Sequence, residues 1–576
     1  MTVDAADTAT YVRKPIVPRT ADLIITNAAV TTLDDDRPTA EAFAVSGGRI
    51  RAVGSAADID AYRGTDTVVH DLAGARVLPG FVDVHNHHII AGQADLFELV
   101  FGVTATFDEI IEAVRRKAAA LGPDEWVIGG SWGSTLGGTF STLEARRRLD
   151  EAAGGRPVTL GDDSHHNRFA NTRALELAGI TEDSEDVGGG VIVRDPETGE
   201  PTGLLLEAAG VPIAHAIART QRLSAEQLVA SSKRAIEILH EYGITAFQDA
   251  GASTNVLTAL KRLDDRDELH AWTVTSLLIS DPVLGFSPVG EPLIAQAEQF
   301  RSTHHRPDFI KIFLDGVPPT RTAAFLDAYL PDHDHGAHHR GETSLTPDEL
   351  EGWLLRTAQA GLSAKIHCTG DAAVRVALDA VEKVRAAGFD TVKYQVAHGQ
   401  FVHPDDRPRF GKLGVAADIS PFLWFPGVIP TAIADVRPGD IAAEIQPNRD
   451  LIDAGALVAG GSDWPVSESP NPWEGIHGLV TRSDPYGNFP GTLGADQAIT
   501  LDEAIRVFSL NAARAIGVDD VTGSITAGKS ADFIVLDRDP FAIDPDSLVQ
   551  TTVTETWFAG TKVFATSTAL SHHSKE

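Results

Sequence analysis

Cysteine is almost missing from this chain. Cys368 stands alone among 576 residues, so no disulfide can form within the chain, and a reducing compartment suits it. Basic residues are also short, with 48 Lys and Arg against 81 Asp and Glu and a formal charge of −33. Such a field repels phosphate, which argues against nucleic acid or an anionic membrane as partner, and the acidity reads as a solvated surface. No apolar run is long enough to cross a bilayer. The opening MTVDAADTATYVRKPIVPRTAD lacks the apolar centre of a secretory signal. These absences lead to the expectation of a cytoplasmic protein.

What is present is material for a core. A hydrophobic content of 43% with 22% charged residues is that of a soluble globular protein, and the length calls for one large domain with a smaller satellite. Residues 1–20 read as a polar arm. Residues 21–78 hold short strands, ADLIITNAAVTTLD and EAFAVSGGRIRAVG, with Gly47-Gly48 as a hairpin signal. Residues 519–568 hold a matching set, SADFIVLDRDP and TVTETWFAGTKVFA, with Gly560-Thr561 at the turn. Neither set makes a core alone. Together they predict one small β-sandwich that brings the chain ends side by side, followed by a tail at 569–576.

Between them, residues 79–518 alternate apolar strands with amphipathic helices, the pattern of a parallel sheet. Capping-box spacing starts helices at Thr500-Leu-Asp-Glu503, Ser224 with Gln227, and Thr346-Pro347-Asp-Glu349; Gly243 and Gly361 stop two of these. Eight strand segments can be counted: GFVDVH, ITAFQD, AWTVTSLL, FIKIFLD, SAKIHC, YQVAH, GVAADIS and LVAGGSD. The count predicts an α/β fold, a (β/α)8 TIM-like barrel, with residues 95–239 inserted after the first barrel strand as a lid or side wall.

Four of those strands end in metal-binding side chains. His85-Asn86-His87 closes the first, with imidazoles at i and i+2 that face the same way in an extended chain. His367 closes the fifth, His398 the sixth and Asp463 the eighth. All strand C-termini of such a barrel open on one face, so these distant residues converge there. Imidazole and carboxylate together suit a divalent metal, Zn²⁺ first, as one or two ions. His88 faces away and is read as structural. Asp463 is the candidate for proton transfer, accepting the proton of an activated water and passing it on to a leaving group, with His398 beside it in the catalytic set. Trp464-Pro465 then shapes the pocket. The tract DHDHGAHHR reads as a solvated loop, and Cys368 as packing.

The motifs LPGFVDVHNHH, KIFLDG, HCTGDAAV, VAHGQF and GGSDWPV, with GSITAGKSADFIVLDRDP near the end, resemble in this order those of the YtcJ-like branch of the amidohydrolases, amidohydrolase family 3. The resemblance runs from Ala21 to about Ala565. It implies the barrel, the metal and hydrolysis at a C–N bond, but no substrate. It also implies a role for Lys311 on the fourth strand, because in many amidohydrolases a lysine there takes up CO₂ and the carbamate bridges two metals. That chemistry needs a neutral amine, which burial beside cations favours. The alternative is a lysine paired with an internal carboxylate. GDDSHHNRFANTRALELAG resembles a family segment that places His165 over the substrate carbonyl, although Ser164 stands where the family has glycine. Glu207 and Arg321 are either substrate contacts or buried ion-pair partners.

The reading is therefore a metal-dependent hydrolase of a non-peptide amide, such as an N-substituted formamide or N-acyl amine. The apolar PFLWFPG after the seventh strand suits a substrate with a hydrophobic part. One rival is a mononuclear deaminase or cyclic-amide hydrolase on the same barrel; another is a non-catalytic signalling or scaffold relative, whose mark would be lost ligands. The partner is a small-molecule amide, and a homo-oligomer is compatible with the sequence.

Overall fold

The computed structural model describes residues 20–566 except 103, 134–135, 163–166, 187–189, 221–222, 282–285, 333–334, 438 and 440–443. Its centre is a parallel sheet of eight strands in sequence order: β1 (Phe81–Asn86), β2 (Ile244–Ala252), β3 (Trp272–Leu278), β4 (His305–Phe313), β5 (Ser363–Cys368), β6 (Tyr394–His398), β7 (Val415–Ile419) and β8 (Leu457–Gly460). Nearly every residue of these strands is buried, as expected where helices cover one face and the barrel interior lies on the other. Alternation sorts the side chains. Phe309, Ala416 and Ala459 join Val82, Val84 and Val274 in one cluster, while Ile310, Ile366, Tyr394, Val396 and Val458 pack with helix residues such as Val374, Leu378 and Val381.

The strand ladder stops between β8 and β1, and other bonds make the seam. Asp83 accepts hydrogen bonds from the Ser462 backbone N–H (3.0 Å) and hydroxyl (2.6 Å), and also from the His85 N–H (2.9 Å) and the Asn86 side chain (3.2 Å). The Asp463 N–H donates to the His85 carbonyl at 2.6 Å, and the His87 N–H to the Trp464 carbonyl at 2.8 Å. Gly461 permits this approach, since a Cβ there would stand 2.6 Å from the His85 backbone nitrogen and Cβ.

Both chain ends contribute to two smaller sheets. One orders Arg49–Gly54, Ala42–Ser46, Leu23–Thr26 and Val68–Asp71; the other orders Thr561–Ala565, Val553–Phe558, Phe533–Leu536, Arg76–Pro79, Ala29–Thr31 and Thr39–Ala40. They share a core in which Phe43 meets Phe533 edge-on, with centroids 4.9 Å apart, and Trp557 stacks on Phe533. The first hairpin turns on Gly47 and Gly48, both at positive φ; the last turns on Ala559 and Gly560, one residue earlier than its sequence signal.

A separate six-stranded sheet lies between Leu99 and Leu206, with its own core around Trp132, Phe140, Leu149 and Phe169. The helix Ala225–Glu241, within the 95–239 segment, packs instead into the barrel's outer core through Val229, Ala235, Ile236 and Leu239. Its apolar stripe faces the barrel, a distinction that loop signals in the sequence do not carry. All three capping boxes read from sequence are present, at Ser224, Thr346 and Thr500. Among the described residues no helix is long and apolar enough to cross a membrane.

Replacing Asp83 by Ala leaves buried donors of both edge strands without an acceptor. The expected loss is roughly 3–5 kcal/mol, read as a thermal midpoint lowered by several degrees. A midpoint within about 1 °C of the parent would show that the seam closes without it.

Candidate metal centre at the barrel mouth

The C-terminal ends of the strands gather three of the expected ligands. His85, His398 and Asp463 are buried, and one ligand atom from each lies within 4.8 Å of the others. His85 Nε2 is 3.5 Å from Asp463 Oδ1, as is His87 Nε2, so the two first-strand imidazoles address the same carboxylate. β1 ends at Asn86 and His87 caps the helix His88–Phe97; the pair reaches one point although only His85 is in regular strand. His367 packs beside His398, with ring centroids 4.7 Å apart. Its Nε2 donates to the Gly316 carbonyl at 3.1 Å, which leaves Nδ1 as its free lone pair.

Two of the candidate ligands hold unusual backbones. Alternation would put His398 on the outer face with Tyr394 and Val396, but its φ of +68° turns the side chain back. Asp463 sits beyond the end of β8 with φ +59°. Left-handed non-glycine residues cost free energy and persist where neighbours fix them. Asp463 is fixed through its N–H to His85, and His398 through its carbonyl, which accepts from Gln446 Nε2 at 2.7 Å.

Lys311 points inward, as alternation requires, and stands opposite Lys365 in the β4–β5 register. Two buried ammonium groups side by side need compensation. Lys365 has it, donating to the Val84 carbonyl at 2.9 Å and to the Asp418 carboxylate. Lys311 is 3.5 Å from His85 Nε2 and 4.7 Å from the Phe313 ring centre. Burial, then the charge of Lys365, pulls its amine down to about 8.

Asp418, Lys365 and Asp83 were not among the sequence candidates. Asp418 Oδ2 lies 3.0 Å from His85 Nδ1, orienting that ring so that Nε2 faces the mouth. A carboxylate inside the apolar run VAADI and a lysine inside SAKIHC are costly placements, and that cost was the available signal.

The electrostatics keep His85 and His398 neutral. Burial, and then the charges of Lys311 and Lys365, hold His85 well below its ordinary value. Burial brings His398 to about 4 despite the opposing charge of Asp463. Burial works to raise Asp463, yet the opposing effects, led by its hydrogen bond with His87, leave the carboxyl lowered and ionised. Neutral imidazoles beside an ionised carboxylate are the protonation states a divalent cation needs. His87 Nδ1 is buried without a hydrogen-bond partner among the described residues. The residues present fit such an ion.

The other candidates fall elsewhere. His165 and the side chain of Glu207 lie outside the described residues. Arg321 pairs with Asp332 at 2.8 Å and donates to the Leu330 carbonyl within the loop after β4. Trp464 is buried at the seam. In PFLWFPG, Trp424 is fully buried beneath the Arg482 guanidinium, 3.9 Å away, so packing takes the ring the sequence offered to substrate; Phe422 and Phe425 remain half-buried. His88 bonds Asp249 and Ser232, each at 2.7 Å, away from the mouth. Cys368 is buried and its thiol is pushed up by burial.

Fold and site together define a class, an eight-stranded parallel α/β barrel with a buried His/His/Asp group at its mouth suited to a divalent metal. Comparison with known proteins narrows it. The sequence profile of the amidohydrolase family matches residues 68–564, and the chain belongs to that family, a hydrolase acting on carbon–nitrogen bonds. It is 30% identical to an N-substituted formamide deformylase from Arthrobacter pascens, over 94% of this chain and 97% of the relative. It is 29% identical to YtcJ of Bacillus subtilis, over 90% and 95%. A metal-dependent hydrolase of uncharacterised function from Pyrococcus horikoshii shares the fold with a TM-score of 0.72, covering 91% of this chain and 99% of that one at 22% identity.

Replacing Asp418 by Asn keeps the size of the side chain and removes the charge that orients His85. Titration of metal-free protein with Zn²⁺ should show affinity about 10- to 100-fold weaker. Affinity unchanged within about twofold would exclude an orienting role.

Proposed function

We propose that the protein hydrolyses a small non-peptide amide, an N-substituted formamide or a related N-acyl amine, at a zinc centre. The observation that carries this reading is the convergence of His85, His398 and Asp463 from the first, sixth and eighth strands on one buried point. The choice of amide follows the similarity to the Arthrobacter pascens deformylase, which spans nearly the whole of both chains.

On this reading His85, His87, His367, His398 and Asp463 hold the ion, and Lys311, as its carbamate, completes the set for a second. A divalent ion in such donors brings the pKa of a bound water toward neutrality and polarises a carbonyl. Asp463, ionised at the centre of the ligands, takes the proton of the attacking water and returns it to the leaving nitrogen, so that the amide becomes an acid and an amine. Asp418 fixes His85, and His398 stands against Asp463, 3.9 Å from its second oxygen. Lys311 is suited to carbamylation because Lys365 is already committed to Asp418, while Lys311 has no carboxylate hydrogen bond among the described residues. His165, Glu207, Arg321 and Trp464 remain the candidates for substrate contact.

A second reading, a mononuclear deaminase or cyclic-amide hydrolase, is favoured by the fact that the tight group has three members, the number needed for one ion. The two end sheets we read as one small sandwich of residues 21–78 and 519–568, and the inserted body as a lid that ends before the helix Ala225–Glu241. The lone Cys368 suits a cytoplasmic site of action.

Chelation should abolish amine release from a panel of N-formyl and N-acyl amines, and Zn²⁺ should restore it. Asp463→Asn should lower kcat by about 10²- to 10⁴-fold with little change in KM. Undiminished turnover after metal removal, or no amine from any panel member, would refute the proposal. Incubation with ¹³C-bicarbonate should give a carbamate signal by NMR that grows between pH 7 and 9, as the Lys311 amine loses its proton, and disappears in Lys311→Met. A signal that survives in that variant would place the carbamate elsewhere.

A further inference from the structure

Arg482 is an expensive residue for a place with no view of the solvent. It is fully buried, at φ +58°, just past the helix Pro472–Thr481. Its hydrogen bonds go to backbone carbonyls: Nε to Leu493 at 2.6 Å, Nη1 to Gln446 at 3.1 Å and Nη2 to Ile445 at 2.9 Å. The flat face of the guanidinium lies on Trp424, 3.9 Å from the ring centre. Charge buried against neutral acceptors costs more than charge buried against a carboxylate. What the arrangement gains is rigidity, since a planar fork held on an aromatic face fixes the carbonyls it binds.

The segment it fixes is short and strained. Gln446 has φ +51° and follows Ile445, which bridges to Phe401. The Gln446 N–H donates to the Gln400 carbonyl at 2.8 Å, and its side-chain amide donates to the carbonyl of His398 at 2.7 Å. Gln400 and Phe401 belong to the same chain turn that leaves β6 through His398 and Gly399, both at positive φ. The carbonyl of the residue that needs its backbone reversed to face the mouth is therefore held by one side chain, while Ser420 Oγ meets its ring at 3.3 Å. The Gln446 carbonyl is held in turn by Arg482 and by the Asn448 N–H at 2.8 Å. Gln446 Oε1 is buried and makes no hydrogen bond, so the bond to His398 is the amide's one directed contact among the described residues.

We propose that Gln446 is a positioning residue for the metal centre: clamped through its carbonyl by Arg482, it holds His398 in the left-handed conformation that turns the imidazole toward His85 and Asp463. The role is exerted through the His398 carbonyl and needs no contact with substrate. It differs from that of Asp418, which acts on a ring nitrogen of His85. The inference rests on the metal-centre reading above.

The test uses the full-length protein and Zn²⁺ alone. Metal-free parent and Gln446→Met, similar in length but with no donor, are titrated against a chromogenic chelator, and the melting of both metal-free proteins is recorded. Arg482 binds backbone, so its clamp survives this change. The expected result is Zn²⁺ affinity weakened about 10- to 100-fold, a melting midpoint of the metal-free variant within about 2 °C of the parent, and kcat lowered with KM nearly constant. Zn²⁺ affinity within about twofold of the parent would overturn the proposal. So would a metal-free variant that melts far below the parent, since Gln446 would then be a structural residue only. If Gln446→Met does not fold, Gln446→Asn, which keeps the amide but falls short of the His398 carbonyl, is read by the same criteria. A parent that binds no Zn²⁺ would instead refute the metal-centre reading itself, so the two failures are distinguishable.

Discussion

The seam between β1 and β8 is where this barrel is made or lost, because a parallel sheet that fails to close leaves two rows of unpaired backbone groups. Here the regular ladder gives out on the last strand, and a carboxylate replaces it. Asp83 gathers donors from its own strand and from Ser462, while the Asp463 N–H and the Trp464 carbonyl complete the crossing through His85 and His87. The residues that close the barrel are thus the candidate ligands or their immediate neighbours. His85 joins Asp463 twice, through the backbone at 2.6 Å and through the side chains at 3.5 Å. An ion bound there ties first strand to last, so that metal affinity and barrel stability draw on one set of contacts.

Charge inside the barrel is arranged oppositely to charge outside it. The surface carries a large excess of carboxylates, whereas the mouth holds two inward lysines facing each other across β4 and β5. Lys365 is neutralised by Asp418, which also carries His85. These three groups form one unit, since removing any member leaves a buried charge or a free ring behind. Lys311 stands next to this unit with no carboxylate of its own in hydrogen-bond contact among the described residues. Its lowered amine is the consequence of that isolation: burial first, then the unit's own ammonium.

Much of this was legible from the residues in order. The eight strands and their parallel order follow from apolar runs separated by capped helices, His367 and Asp463 from their place at strand ends, and Lys311 from the family resemblance. Lys365 and Asp418 were equally legible by alternation, as charged residues on inward positions of buried strands, but the eye for ligands passes over them because neither belongs to a metal motif. His398 reaches the mouth in a way that alternation does not give. By period two it faces the helices with Tyr394 and Val396, and only a positive φ brings it in. Sequence periodicity assumes a regular backbone, so departures from it, at His398, Asp463 and Gln446, are where it stops informing. The helix Ala225–Glu241 shows the same limit at larger scale: its stripe announces a helix but not which of two neighbouring cores receives it.

These limits divide the molecule along functional lines. Every residue that holds the proposed ion has its backbone in the barrel, or within a few residues of a strand end, where ladder and seam bonds fix it. The candidates for substrate contact lie instead in the inserted body, in the loop after β4 or on the turn past the seam, where the chain is held by its own local pairs, as Arg321 is by Asp332. Reaction chemistry depends on the first group, whose convergence follows from topology alone. Choice of substrate depends on the second, whose geometry follows from loop contacts that no period or motif encodes. A family resemblance carried by strand-end motifs can therefore fix the reaction class while leaving the amide open, since the motifs are drawn from the part of the structure that substrate identity leaves unchanged.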